Sequence, residues 1–249
     1  MLPSTGFHDR ISIIMKKICI LTIVATLAAP FGSVFAGDIT GKITLKGTPP
    51  KEKDITPLKD DVNCGKFHST MPTTKFYVVG AGGELADAVV YLTGISGKST
   101  GASAAPAMLD QKSCEYVPQI FAVQTGQKMT VKNSDPVLHN VHTQPTAAGN
   151  KEDNKAQMPG GADLSFSFDK PEMWLKFKCD VHPWMFAWVS VFDHPYFAVS
   201  GKDGTFKIAN VPAGKYTLEV AHRKAGTVKQ EIEVKDGEAA KVELALEAK

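Results

Sequence analysis

Trp174-Leu175-Lys176-Phe177-Lys178-Cys179-Asp180-Val181-His182-Pro183-Trp184-Met185 is the stretch on which the fold turns. The residues before Cys179 alternate apolar and basic, the period of a strand with one face buried and one wet. From Cys179 onward a thiol, an imidazole and a thioether follow at Cys-x-x-His-x-x-Met spacing. A strand that runs into a tight loop of donors gathers those side chains at one end of a β-sandwich.

The same reading extends along the chain. Short alternating runs recur at Ile39, Ile43 and Leu45; Phe121, Val123, Met129 and Val131; Leu164, Phe166 and Phe168; Tyr216, Leu218 and Val220; Ile232 and Val234; and Val242, Leu244 and Leu246. Turn signals such as Asp203-Gly204, Pro212-Ala213-Gly214 and Asp236-Gly237 separate them. Helical periodicity is almost absent, so the expected class is all-β, built of sandwiches. Two stretches of small and polar residues, 95–106 and 144–163, are expected to be loops.

At the N-terminus, Lys16 and Lys17 precede the apolar run Ile18–Leu27, and Val34-Phe35-Ala36 supplies small residues at a cleavage position. This three-part pattern predicts a secretory signal peptide over residues 1–36, cut before Gly37 and leaving no membrane span. Met15 is a second candidate start. The leader takes Arg10, Lys16, Lys17 and Asp9 with it, which leaves 25 basic and 25 acidic residues. A chain with no basic surplus and no aromatic-plus-basic platform lacks what nucleic-acid binding needs, and that class is set aside. The expected location is the periplasm.

Cysteine arithmetic narrows the chemistry. Cys19 falls in the leader, so Cys64, Cys114 and Cys179 remain in an oxidising compartment, where an odd thiol must pair, react or bind metal. Cys179 is the one with metal-ligand neighbours. A further donor lies upstream, in Asn133-Ser134-Asp135-Pro136-Val137-Leu138-His139-Asn140-Val141-His142, which follows the strand expected at 127–132.

This passage and the Cys179–Met185 loop together resemble the cupredoxins, and among them are most similar to the amicyanin and pseudoazurin families, which share the two-residue spacing before Met. The resemblance covers about residues 105–193. It implies a Greek-key β-sandwich with one type 1 copper ion, held by His139, Cys179 and His182 with Met185 as a weak axial ligand. It also implies that Asn140 ties the two ligand loops together by hydrogen bonds. Where amicyanin-like loops often carry Thr-Pro between Cys and His, this chain has Asp180-Val181, which changes the hydrogen bonding around the thiolate. With Cys179 assigned to the metal, Cys64 and Cys114 are the pair expected to form a disulfide.

The donor types agree with copper on chemical grounds. Thiolate and thioether favour Cu(I), imidazoles suit both oxidation states, and a His₂Cys set with a long axial Met is an electron-transfer arrangement. Zinc would recruit further Cys or His and has no use for Met. His142 is expected to lie near the site without binding, while His68, His194 and His222 have no partners at ligand spacing. His182, flanked by apolar Pro183, Trp184 and Phe186, is expected to open to the surface as the electron port.

Near the C-terminus, Phe197–Phe206 followed by Val211–Leu218 resembles a carboxypeptidase regulatory-like β-sandwich, which implies a structural or docking module. Its usual first strands are missing just upstream, but Ile39–Ile43 and Ala88–Leu92 have the right character. The expected organisation is a leader at 1–36, an N-terminal β segment at 37–104, a cupredoxin domain at 105–195 and a C-terminal sandwich segment at 196–249. Residues 38–94 and 196–249 are expected to close into one discontinuous sandwich. The expected function is electron transfer with a redox protein partner. The alternative is copper binding and delivery, or an envelope interaction role, and exposure of the ligands separates the two. Enzymatic activity is not expected, because copper nitrite reductases need a second, His-rich copper site and this chain lacks the spare paired histidines.

Overall fold

The computed structural model describes residues 36–249; the leader expected over 1–36 lies, apart from Ala36, outside them. Strands dominate the described chain. The first two are β1 (Ala36–Lys46) and β2 (Val89–Leu92). Next come β3 (Ala107–Lys112), β4 (Glu115–Val117), β5 (Ile120–Gln124), β6 (Met129–Asn133), β7 (His139–Gln144), β8 (Asp153–Gln157), β9 (Leu164–Phe166), β10 (Glu172–Lys178) and β11 (Phe186–Phe192). The last are β12 (Phe197–Val199), β13 (Thr205–Pro212), β14 (Gly214–His222), β15 (Gly226–Val234) and β16 (Ala240–Glu247).

Strands β3 to β11 form one sandwich, with sheets ordered β5-β11-β10-β7-β8 and β4-β3-β6-β9. Alternation decides what each strand buries. On β10, Leu175 and Phe177 are buried while Lys176 and Lys178 are partly exposed; on β11, Ala187, Val189 and Val191 enter the same core. Phe177 sits centrally, its ring packed against Phe121, Phe166 and Phe168. Burying a side chain of that size contributes roughly 1.5–3 kcal/mol.

The remaining strands make a second pair of sheets, β13-β1-β16 and β12-β2-β14-β15, around Ile39, Ile43, Val90, Ile208, Leu218 and Val220. Strand β1 lies between β13 (antiparallel) and β16 (parallel), and the approach to β16 is so close that a Cβ on Gly41 would fall 2.0 Å from the Val242 carbonyl oxygen. A side chain there would push the strands apart. Residues 107–192 are thus an excursion from a sandwich whose strands come from both ends of the described chain. Val89, Ile120 and Phe192 join the two sandwiches in a small buried cluster, with the Phe192 ring 4.8 Å from Tyr91 and 4.9 Å from Phe197.

Two departures from the sequence reading position the site. The stretch 144–163 is not all loop, because it holds β8, paired antiparallel with β7 at a sheet edge. An edge strand of Asp153-Asn154-Lys155-Ala156-Gln157 needs no apolar alternation, which is why it reads as loop. Between β1 and β2, a short helix α1 (Thr56–Asp60) and a 3₁₀ turn at Gly65–Phe67 lie against the β3–β11 sandwich, with Leu58 fully buried. A disulfide between Cys64 and Cys114 holds them there, with the two Cα atoms 5.7 Å apart. No helix among the described residues is long and apolar enough to cross a membrane.

Candidate metal centre

His139 opens β7, Cys179 follows β10, and the two strands are paired neighbours. The loop after Cys179 is closed by two backbone hydrogen bonds, Cys179 N–H to the Met185 carbonyl (3.0 Å) and Met185 N–H to the His182 carbonyl (2.9 Å). That turn brings His182 back over Cys179. His139 Nδ1 lies 3.0 Å from His182 Nδ1, and Cys179 Sγ lies 3.6 Å from the same nitrogen. The donor atoms of His139, Cys179 and His182 fall within 4.8 Å of one another. All three are buried, as is Met185, which shares a core with Cys179 and is only 1 % exposed. Cys179 is the free cysteine among the described residues.

A carboxylate that the sequence reading did not single out sets the orientation of His139. Its Nε2–H donates to Asp135 Oδ2 at 2.9 Å, which leaves the Nδ1 lone pair free to face the other donors. Asp135 also accepts the backbone N–H groups of Ser113 (2.6 Å) and Cys114 (2.7 Å). Burial alone would raise the Asp135 pKa, but the His139 bond and these two N–H groups hold it below the ordinary carboxylate range. Burial works against a charged His139, yet Asp135 and Cys179 outweigh it and push its pKa up. For His182 burial wins, helped by His139, and its pKa is lowered. Burial would also raise the Cys179 pKa, but the His139 imidazole beside it and the backbone N–H groups of Asn140, His182 and Val181 outweigh burial and lower it.

Asn140 bridges the two loops. Its Oδ1 accepts the Asp180 N–H at 2.7 Å and lies 3.3 Å from Cys179 Sγ, while its own backbone N–H points at that sulfur at 3.5 Å. Its Nδ2 donates to Asn154 (2.7 Å) and Asp180 (3.2 Å). Tyr116, also unforeseen, donates its hydroxyl to the Asn140 carbonyl at 2.8 Å, with the Lys178 carbonyl 3.3 Å away.

The other histidines among the described residues stay apart from the donors. His142 is held by Asp180 (2.8 Å) and Glu152 (2.6 Å). His68 contacts the Ser113 carbonyl at 2.9 Å, and His194 and His222 are buried acceptors of nearby backbone N–H groups.

The expected surface port at His182 is corrected by the structure: the residue is only 7 % exposed. The sulfurs of Cys64 and Cys114 lie within 4.8 Å of a ring nitrogen of His182. Trp184 packs across the imidazole at 5.2 Å between centroids and donates its Nε1–H to the Cys114 carbonyl at 3.1 Å. Trp184 therefore faces inward, and Phe186 lies beside Trp188 on the outer side of β11, so the two do not form one exposed patch. The physical cause is the segment between β1 and β2, which covers this end and gives no local signal near His182.

Comparison with known proteins bears on the same residues. Residues 105–192 match the family of copper binding proteins described as plastocyanin/azurin. No curated protein sequence matches the chain. Among solved structures, a copper-containing nitrite reductase from Thermus scotoductus is similar at 16% identity and TM-score 0.32, over 36% of this chain and 23% of its own. The chain therefore spans about a quarter of that relative. A purple cupredoxin from Nitrosopumilus maritimus is similar at 22% identity and TM-score 0.29, over 34% of this chain and 98% of its own. An oxidised amicyanin variant is similar at 21% identity and TM-score 0.31, over 41% of this chain and 97% of its own.

Proposed function

We propose that this protein is an exported, periplasmic electron carrier that holds one type 1 copper ion with His139, Cys179, His182 and, more weakly, Met185. The observation that carries the reading is the convergence of two imidazole Nδ1 atoms and a thiol sulfur within 4.8 Å in a buried site. The donor chemistry fits copper: a soft sulfur and two imidazoles, with a thioether in the same core, serve both oxidation states. When bound, copper supplies a one-electron couple. The chain supplies rigidity. Asp135 fixes the His139 ring, Asn140 brackets the Cys179 sulfur, and the closed Cys179–Met185 turn holds His182. Donors held this way need not move when their charge changes.

Burial of the donors supports electron transfer over open copper delivery. The Cys64–Cys114 disulfide supports an oxidising compartment, and with it the leader and periplasmic location. We read the sandwich of β1, β2 and β12–β16 as a carboxypeptidase regulatory-like platform that presents the copper domain to a redox protein partner. The test is the visible spectrum of the copper-loaded protein. An intense thiolate charge-transfer band is expected, lost in Cys179→Ser because a hydroxyl cannot replace the copper–sulfur bond, and kept in Met185→Leu because an axial thioether is a weak ligand. No such band, or its equal loss in both variants, overturns the reading.

A further inference from the structure

A cavity of about 140 Å³ lies where the two sandwiches meet, on the face of β10 and β11 turned away from their core. Its lining includes Phe76, Lys176, Phe186, Trp188, Arg223 and Lys224. The cations are crowded onto aromatic faces. Arg223, in the turn between β14 and β15, holds its guanidinium 3.2 Å from the centroid of the Trp188 ring and 5.7 Å from that of Trp174. Lys224 Nζ sits 4.2 Å from the Phe76 centroid, and Lys176 Nζ 5.8 Å from that of Trp188.

What these cations lack is an anion. Among the described residues no carboxylate is within ion-pair distance of Arg223, Lys176 or Lys224, although other surface lysines of this chain are paired. No side chain or backbone group among them accepts a hydrogen bond from the Arg223 guanidinium either. Burial already weighs against its charge. Asp87 also lines the cavity, where burial raises its pKa against the opposing pull of Lys75 and Lys202. His222 accepts the Lys224 and Ala225 N–H groups on Nδ1, so its proton sits on Nε2 as a neutral donor. Trp174, at the bulge in β10, takes φ +62°, a strained value for so bulky a residue, at a site where its ring stands beside Arg223.

An unpaired guanidinium offers a planar fork of donors that matches a carboxylate. The aromatic walls favour a flat apolar body. The volume compares with engineered cavities of roughly 150 Å³ that take up benzene. We propose that this cavity binds a small aromatic carboxylate of one ring, with its carboxylate on Arg223 and Lys224 and its ring against Phe76 and Phe186. The site does not depend on copper.

The experiment titrates benzoate into the full chain and follows heat and tryptophan fluorescence. Saturable one-site binding is expected, with acetate and benzyl alcohol each weaker by about tenfold or more, since one lacks the ring and the other the charge. Arg223→Gln should weaken benzoate by about tenfold, and Lys224→Gln, at an exposed position, by about threefold. Lys224→Gln keeps the test decisive if Arg223→Gln does not fold. Absence of saturation, acetate or benzyl alcohol binding as tightly as benzoate, or undiminished affinity in the folded variants would overturn the proposal.

Discussion

Between the His139 imidazole and the start of β4 stands one carboxylate, Asp135, which accepts hydrogen from His139 Nε2, Ser113 N and Cys114 N. An amide in its place has one acceptor oxygen and a nitrogen that can only donate, so at least one of these three donors loses its partner. Asp135→Asn is therefore expected to free the His139 ring and lower copper affinity by about 10–100-fold, the usual cost of losing such a support. Competition against a chelator of known affinity measures it, with the apo protein's unfolding midpoint recorded in parallel to separate site from fold. Affinity within about twofold of the parent would show that His139 is held by other means. Asp135 was not legible before the structure, for a physical reason. In an irregular loop the spacing from Asp135 to His139 has no fixed geometry, and it is the Asn133 side chain, accepting the Asp135 N–H at 3.0 Å, that bends the loop round. The donors themselves were easier to see, because thiol, imidazole and thioether are crowded into seven consecutive residues and need little tertiary context.

Among the elements, those with an apolar face announced themselves and those without did not. Strands such as β10 and β14 bury alternate residues, so their period is written in the chain, whereas polar β8 and the cover formed by α1 and the Gly65–Phe67 turn owe their places to partners far away in sequence. That cover has a testable role. The disulfide closes a loop of 50 residues and contributes about 4 kcal/mol in the chain-entropy model. It also brings sulfur and Leu58 against the His182–Trp184 side of the site. Replacing both Cys64 and Cys114 by Ala releases the tether, and water and small ligands then reach His182. A small external chelator is expected to strip copper at least about tenfold faster from the double variant than from the parent, with the charge-transfer band initially intact. Equal stripping rates would mean that the cover stays closed by packing alone.

At the scale of the whole molecule, the two sandwiches are interleaved in sequence and share a buried seam, so what destabilises one is felt by the other. His222, at the end of β14 and beside that seam, is buried, stacks on Tyr77 at 5.3 Å between centroids, and caps the Lys224 and Ala225 N–H groups. Burial first, and the neighbouring Arg223 charge second, push its pKa down to about 4. In the unfolded chain the same imidazole titrates near 6.5. Above that pH both states are neutral and the full stability is present. As pH falls below it, the unfolded chain takes up a proton that the folded protein refuses until near pH 4, so stability drains away across that window. The loss by pH 4.5 is about 2–3 kcal/mol from this one residue, and His194, whose pKa burial also lowers, adds in the same direction. Gln in place of His222 keeps an acceptor for the backbone N–H groups but cannot titrate. Urea unfolding of the copper-free protein at pH 7 and pH 4.5 isolates the effect, because the histidines of the metal centre titrate identically in parent and variant and cancel in the comparison. The parent is expected to lose about 2 kcal/mol more than His222→Gln between the two pH values; parallel losses would place the acid sensitivity elsewhere in the fold.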